Sequence, residues 1–361
     1  MSTQFEPLPG DRPISFNRLM ALKQNGDDTF ESLTGAWPPG PMKRAFGGHV
    51  YAQAMYAASK TVAKGFVVHQ MTGYFILPGA IDVPFEYRVR RVRDGGIYCL
   101  RAVDVFQQSH AAADGRTPCF TATMSFKRSE RGNRKWQPWE YQNVPKEHIK
   151  TEYGRVLDGL NPQDHILAPA SDALWWIDSD YMKRVTPIFP GVETRKVDMT
   201  KYNGQVELGR GIEGEAISKY RQLLFYRLYQ DEEGDGDVDL NLHAAAHLYT
   251  SDRNSLFLIQ RALGYEKVVC SLASLSHTVI FHGFAEDLCM IGENGKSKWF
   301  VQESWTSHGG ENRGTHHSLL WDCGKGKVIA TTIQDGMIRV PKESADKIAM
   351  GKEDSGKASK L

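Results

Sequence analysis

The chain has 361 residues, 41% of them hydrophobic and 24% charged, with a formal net charge of +1 at pH 7. That length accommodates two ordinary domains or one large one, and the composition is that of an average soluble globular protein. A net charge so near zero supplies no whole-molecule field for nucleic acid or an anionic membrane, so an acidic ligand has to be recognised by a local basic patch.

The opening stretch "MSTQFEPLPGDRPISFNRLM" lacks the apolar region of a signal peptide, and no segment approaches the length of a membrane span. No membrane span is therefore expected. Cys99, Cys119, Cys270, Cys289 and Cys323 are odd in number and widely spaced, with no CxxC pair. They read as reduced structural thiols rather than a disulfide framework or a zinc ribbon.

In chain order, the first clear element is a small-residue helix in "GGHVYAQAMYAASKTV" (47–62), whose Ala52, Ala54, Ala57 and Ala58 let it lie close against a sheet. Four β-rich runs follow, "FVVHQMTGYFILPG", "VPFEYRVRRV", "IYCLRAVDVFQ" and "CFTATMSFKR", with Asp94-Gly95-Gly96 as a hairpin turn. Arg88, Arg90 and Arg91 alternate along the second of these, with Arg93 just beyond. They are either a solvated sheet face or a patch for the phosphates of a ligand.

Residues 128–205 are rich in charge, Pro, Asp and Gly. Their most apolar part, "ALWWID" with Trp175 and Trp176, is expected to pack across the two halves, because exposing both indoles is costly. "RKWQPWEY" mixes basic and aromatic residues as nucleic-acid binders do, but at neutral net charge it reads as loop packing, so no nucleic acid is expected as a partner.

The order of elements then repeats. "LNLHAAAHLYTSDRNSLFLIQ" is a second alanine-rich helix, followed by "VVCSLASLSHTVIFHG", "KWFVQESWTS", "GTHHSLLWDC" and "KVIATTIQDGMIRV". Tyr56 matches Tyr249, and "FTATMSFKR" matches "ATTIQDGMIR". A helix buried by an antiparallel sheet, twice over, is an α+β architecture of two similar units. The last run reads as a strand broken in its middle by Gln334, Asp335 and Gly336. His277, His282, His308, His316 and His317 are close in sequence but lack the helical i, i+4 spacing with a Glu that a metal site would show, so no metal and no other cofactor is expected.

"FGGHVYAQAMYAA", "YFILPG…VPFEYRVRRVRDGGIYCLRAV", "YTSDRNSL", "LASLSHTVIFH", "ESWTSHGGENRG" and "IATTIQDGMIR" together resemble the type II acyl-CoA thioesterases. The resemblance implies a tandem hotdog, each unit an antiparallel sheet wrapped around a central helix. Residues 14–128 would form a non-catalytic copy, 129–205 a connector, 206–341 the copy with the catalytic residues, and 342–361 a flexible tail. It implies cleavage of fatty acyl-CoA to fatty acid and CoA. The family's Asp, Ser or Thr, and Gln fall on Asp252, Ser274 and Gln334. Three positions depart from the family pattern and bear on substrate preference: Ser276 replaces an acid, His308 a proline, and His49 a frequent glutamine.

Thioester hydrolysis suits these groups. A carboxylate takes a proton from water while a hydroxyl and an amide fix the water's orientation, and the amides of a helix N-terminus face the oxyanion. Singly, each residue has a structural alternative: Asp252 as a helix cap, Ser274 as an ordinary strand serine, Gln334 as turn chemistry. In the first copy the corresponding positions are about Ser59 and Ser125, neither a carboxylate nor an amide, so one competent site is expected. Arg88, Arg90 and His277 are the candidate substrate-binding residues. No G-x-S-x-G occurs, which disfavours a serine nucleophile of the α/β-hydrolase kind. The alternatives are a hotdog enoyl-CoA hydratase or dehydratase with an Asp–His pair, in which Gln334 would have no task, and a non-catalytic acyl-CoA-binding protein.

The chain closes with Ser359-Lys360-Leu361, the peroxisomal address, after a polar stretch that would present it to the import receptor. The expected location is the peroxisomal matrix. Two hotdogs in one chain already supply the pairing that single-hotdog proteins reach by dimerising, and a homo-oligomer stays open.

Overall fold

The computed structural model describes residues 4–8, 13–39, 43–109, 115–130, 135–136, 139–169, 189–204, 218–229, 238–266 and 268–345. Trp175, Trp176 and the Ser359-Lys360-Leu361 tripeptide lie outside them.

The described residues form thirteen strands in one sheet. The first half contributes β1 Leu22–Gly26, β2 Thr29–Ser32, β3 Phe66–Phe75, β4 Phe85–Asp94, β5 Tyr98–Gln108 and β6 Arg116–Arg128. Between the halves come β7 Ile166–Leu167 and β8 Val192–Lys196. The second half contributes β9 Gln222–Leu228, β10 Ser271–Phe281, β11 Phe300–Gly310, β12 Arg313–Asp322 and β13 Lys327–Arg339.

The spatial order is β1-β2-β4-β5-β6-β3-β10-β13-β12-β11-β9-β8-β7. Read outward from the β3–β10 seam it repeats on both sides, with β7 left over: β3 answers β10, β6 answers β13, β5 answers β12 and β4 answers β11. The axis of this approximate two-fold passes through the β3–β10 seam, where Thr72 pairs with Thr278 and their hydroxyls meet at 3.0 Å.

Each half wraps around one helix, the first central helix Gly47–Ser59 and the second central helix Leu240–Ser251. Almost every residue of both is buried, because small side chains leave the sheet free to close on all faces. The two helices run antiparallel against each other, so each one's start meets the other's end. Tyr56 and Lys60 at the end of the first reach Asp239, the N-cap of the second, at 3.1 and 3.0 Å. One continuous hydrophobic core holds both helices and both sheet halves. This is the tandem hotdog, α+β, that the sequence pattern implies.

One local reading is corrected. β13 runs unbroken from Lys327 to Arg339, with Gln334, Asp335 and Gly336 all paired in the ladder, so these residues do not interrupt it. The stretch between the halves is more than a tether. β8 pairs with β9, and Phe189 packs on Trp37 and Phe46 of the first half and on Tyr249 of the second. The helix His148–Leu157 docks on the second half, where Glu303 accepts from Tyr153 at 2.5 Å and from Trp321 at 3.1 Å.

Candidate active site

Asp252, Ser274 and Gln334 come from three elements and meet. The second central helix ends at Ser251 with Asp252 at its C-cap, so a helix-end position is real and is also the site position. Gln334 lies mid-strand on β13, fully buried, and its Nε2 donates to Asp252 Oδ1 at 2.6 Å and to Ser274 Oγ at 2.7 Å. Ser274 is aimed by a β-bulge: the β10–β13 register shifts between Ser274 and Ser276, and such a shift turns one side chain towards the cleft.

The fourth wall belongs to the other copy. The N-terminus of the first central helix abuts Asp252, and the Gly48 backbone N–H donates to its carboxylate. Only glycine fits there. A Cβ on Gly47 would lie 2.9 Å from Asp252 Oδ2, and one on Gly48 would lie 2.7 Å from the Tyr249 carbonyl oxygen. The positive end of the helix dipole thus points at an anion, the usual arrangement for a buried carboxylate at a helix start.

Burial pushes the Asp252 carboxyl up to about 7, against the opposing pull of the Gln334 amide and the Gly48 N–H. A carboxyl poised near neutrality is matched to general-base work at cellular pH. His277 sits directly across from Gln334 on β10, and His316 directly across on β12, so an imidazole flanks the amide on each side. Burial drives both rings down to about 3, and both are neutral. His277 Nε2 is 2.9 Å from Ser251 Oγ, and the ring packs edge-on against Tyr51 with centroids 4.7 Å apart. Gln334 Oε1, His277 Nδ1 and His316 Nδ1 are buried with no geometric hydrogen-bond partner among the described residues.

Of the expected substrate-binding residues, His277 is at the site, while Arg88 and Arg90 are not. β4 buries Phe85, Tyr87 and Val89, so Glu86, Arg88 and Arg90 face outward, four strands from β10. Arg88 pairs with Glu86 at 2.5 Å and lies over the Phe106 ring. Among the described residues no group of three or more His, Cys, Asp or Glu converges to hold a metal ion, and no helix is long and apolar enough to cross a membrane.

Sequence reasoning missed Gly47, Gly48, Ser251 and His316. The glycine pair ahead of an alanine-rich helix was the available signal, but its partner lies about 200 residues away in the other copy.

Residues 33–127 match the acyl-CoA thioesterase N-terminal domain family. The chain is 25% identical over 348 residues to acyl-coenzyme A thioesterase 8 of Homo sapiens, covering 94% of each. In fold it is similar to the acyl-CoA thioesterase II TesB2 of Mycobacterium marinum (21% identity, TM-score 0.58, 91% of this chain and 98% of that one). It is also similar to a hot dog fold protein of unknown function from Alicyclobacillus acidocaldarius (15% identity, TM-score 0.57, 90% and 98%). With its two mirrored hotdogs, the chain shares the fold of these structures and is similar over 94% of its length to an acyl-CoA thioesterase.

Proposed function

We propose that Asp252, Ser274 and Gln334 carry the reaction of this acyl-CoA thioester hydrolase. Asp252 accepts a proton from a water whose oxygen attacks the thioester carbonyl carbon. Ser274 and Gln334 orient that water, while the Gly48 N–H holds the Asp252 carboxylate in place. When the tetrahedral intermediate collapses, the C–S bond breaks and the Asp252 proton goes to the departing sulfur. The products are a fatty acid and CoA.

The single observation that carries this reading is the Gln334 amide, which bridges carboxylate and hydroxyl in one buried contact. His277 is a positioning residue in this scheme rather than a substrate ligand. Its Nε2 meets Ser251 Oγ at 2.9 Å and the ring stands across the ladder from Gln334, so it fixes the setting of the amide whose NH2 group faces Asp252 and Ser274. A hydratase built on an Asp–His pair would need an imidazole on Asp252, whereas His277 meets Ser251 through Nε2 and Asp252 is held by Gln334 and the Gly48 N–H.

The test is thiol release from acyl-CoA. Wild-type turnover that falls a hundredfold or more in Asp252→Asn, with an unchanged melting profile, supports the scheme; full turnover in that variant overturns it. For location, Ser359-Lys360-Leu361 supports import into the peroxisomal matrix when it ends the chain. A fluorescent fusion that stays punctate after the tripeptide is deleted would contradict this.

A further inference from the structure

The approximate two-fold assigns every catalytic position a counterpart at the opposite end of the seam. Helix alignment places Ser59 opposite Asp252, and strand register places Val68 opposite Ser274, Met71 opposite His277 and Met124 opposite Gln334. The bulge is repeated as well, between Val68 and Gln70. This end has no carboxylate or amide in the reacting positions, and its one hydroxyl, Ser59, is spent on the Tyr56 carbonyl at 2.7 Å.

It nevertheless keeps a pocket. A cavity of about 530 Å³ opens beside Val68, within the size range of small-molecule sites. Its floor is apolar, with Val67, Phe281, Phe284 and Leu288. Under the same two-fold, Val67, Val68 and Phe281 correspond to Ala273, Ser274 and Phe75, the last of which lies against Gly47 at the catalytic cleft. The cavity is therefore the counterpart of the cleft mouth.

Its rim differs from the floor. Trp136 and Trp139 line it and are 65% and 83% exposed, two indole faces left to solvent at the edge of an apolar hollow. Arg128 stands beside them, stacked on the Phe66 ring at 4.4 Å. The other charges lining it are matched: Lys127 with Glu130 at 3.3 Å and Glu140 with Lys327 at 3.1 Å. Ser129, His69 and His282 also line it, and burial lowers both imidazoles so that they are neutral.

We infer that this pocket is a second acyl-CoA site that holds the thioester without hydrolysing it. The apolar floor takes the acyl and pantetheine portion, the indoles stack on the adenine, and the Arg128 guanidinium meets a phosphate. The ligand class rests on the hydrolytic reading of the other end; the existence of a second site does not.

The experiment counts sites. A non-hydrolysable acyl-CoA thioether is titrated calorimetrically into full-length Asp252→Asn, and then into the same chain with Trp136→Ala and Trp139→Ala added. Two sites per chain in the first and one of unchanged affinity in the second is the expected result, and the surviving site reports that the variant is folded. One site in the first, or two in the second, overturns the inference. Failure of the hydrolytic reading would appear separately, as wild-type chain that releases no thiol.

Discussion

The two ends of the β3–β10 seam share one backbone design and differ in the side chains set on it. At the end with Asp252, three buried polar atoms, Gln334 Oε1, His277 Nδ1 and His316 Nδ1, have no geometric hydrogen-bond partner among the described residues. Buried groups of that kind cost about 1–3 kcal/mol each. At the other end the position answering His316 is Arg101, which pairs with Met124 as His316 pairs with Gln334. Arg101 is almost wholly buried and spends its donors on the end of the first central helix. Nε reaches Thr61 Oγ1 at 2.9 Å and Nη2 the Thr61 carbonyl at 3.0 Å, with further bonds to the carbonyls of Arg93 and Leu100 and an ion pair to Asp94. One end keeps polar groups free for chemistry; the other closes them off with a cation at a helix C-terminus, where it is electrostatically favoured.

The largest effect should come from removing the difference at its source. Asp252→Asn should lower kcat/KM by two to four orders of magnitude, about 3–5 kcal/mol of barrier. In the wild type, kcat/KM should climb as pH rises through about 7, when the carboxyl loses its proton. A pH profile flat from 5 to 9 would refute the base assignment.

Acid stability comes next. His49 is held down to about 4, and His247, His277 and His316 to about 3, all by burial. Against an unfolded value of about 6.5, the stability these neutral rings contribute is complete above that pH and is lost as pH falls towards 3–4. Asp252 runs the other way. Raised to about 7, it holds its proton in the fold and favours folding as pH falls through that value towards about 4. Four protons against one leaves about three, so near pH 5 these five groups should together cost about 4 kcal/mol per pH unit. Denaturant titrations at stepped pH measure that slope, and it should steepen in Asp252→Asn.

Arg101→Met should cost about 3 kcal/mol, since it strands buried carbonyls at the helix end. Thiol release at the far end should be little changed, and unfolding midpoints and turnover read the two effects apart. The smallest effect expected is from Val68→Ser, which places a hydroxyl opposite Ser274 in a buried apolar position. It should lower stability by about 1–2 kcal/mol and restore no turnover when built into Asp252→Asn.

Much of this was readable beforehand, for definable reasons. Two alanine-rich helices and the alternating runs behind them mark the tandem hotdog, and the trio falls on motifs that survive in "TSDRN", "LASLSH" and "TIQDG". Register was harder. Pairing "FTATMSFKR" with "ATTIQDGMIR" suggests about Ser125 opposite Gln334, whereas the ladder gives Met124, and in a strand a one-residue slip reverses the face. The outward facing of Arg88 and Arg90 was legible, because Phe85, Tyr87 and Val89 alternate with them and claim the inner face. What no local pattern shows is contact between distant segments: Gly48 against Asp252, Phe189 against both halves, Arg101 around the end of a helix it does not adjoin in sequence.

The antiparallel packing of the two central helices bears on how such a chain can be inherited. The half that retains the carboxylate lacks the helix start that faces it, and the half that retains the helix start lacks the carboxylate. Neither half can be shed as a spare, although one has lost its own reacting groups. A truncated product of either half would carry no working centre, whereas the two halves expressed as separate polypeptides should regain one when mixed. The copy without the carboxylate still supplies the helix start that faces Asp252.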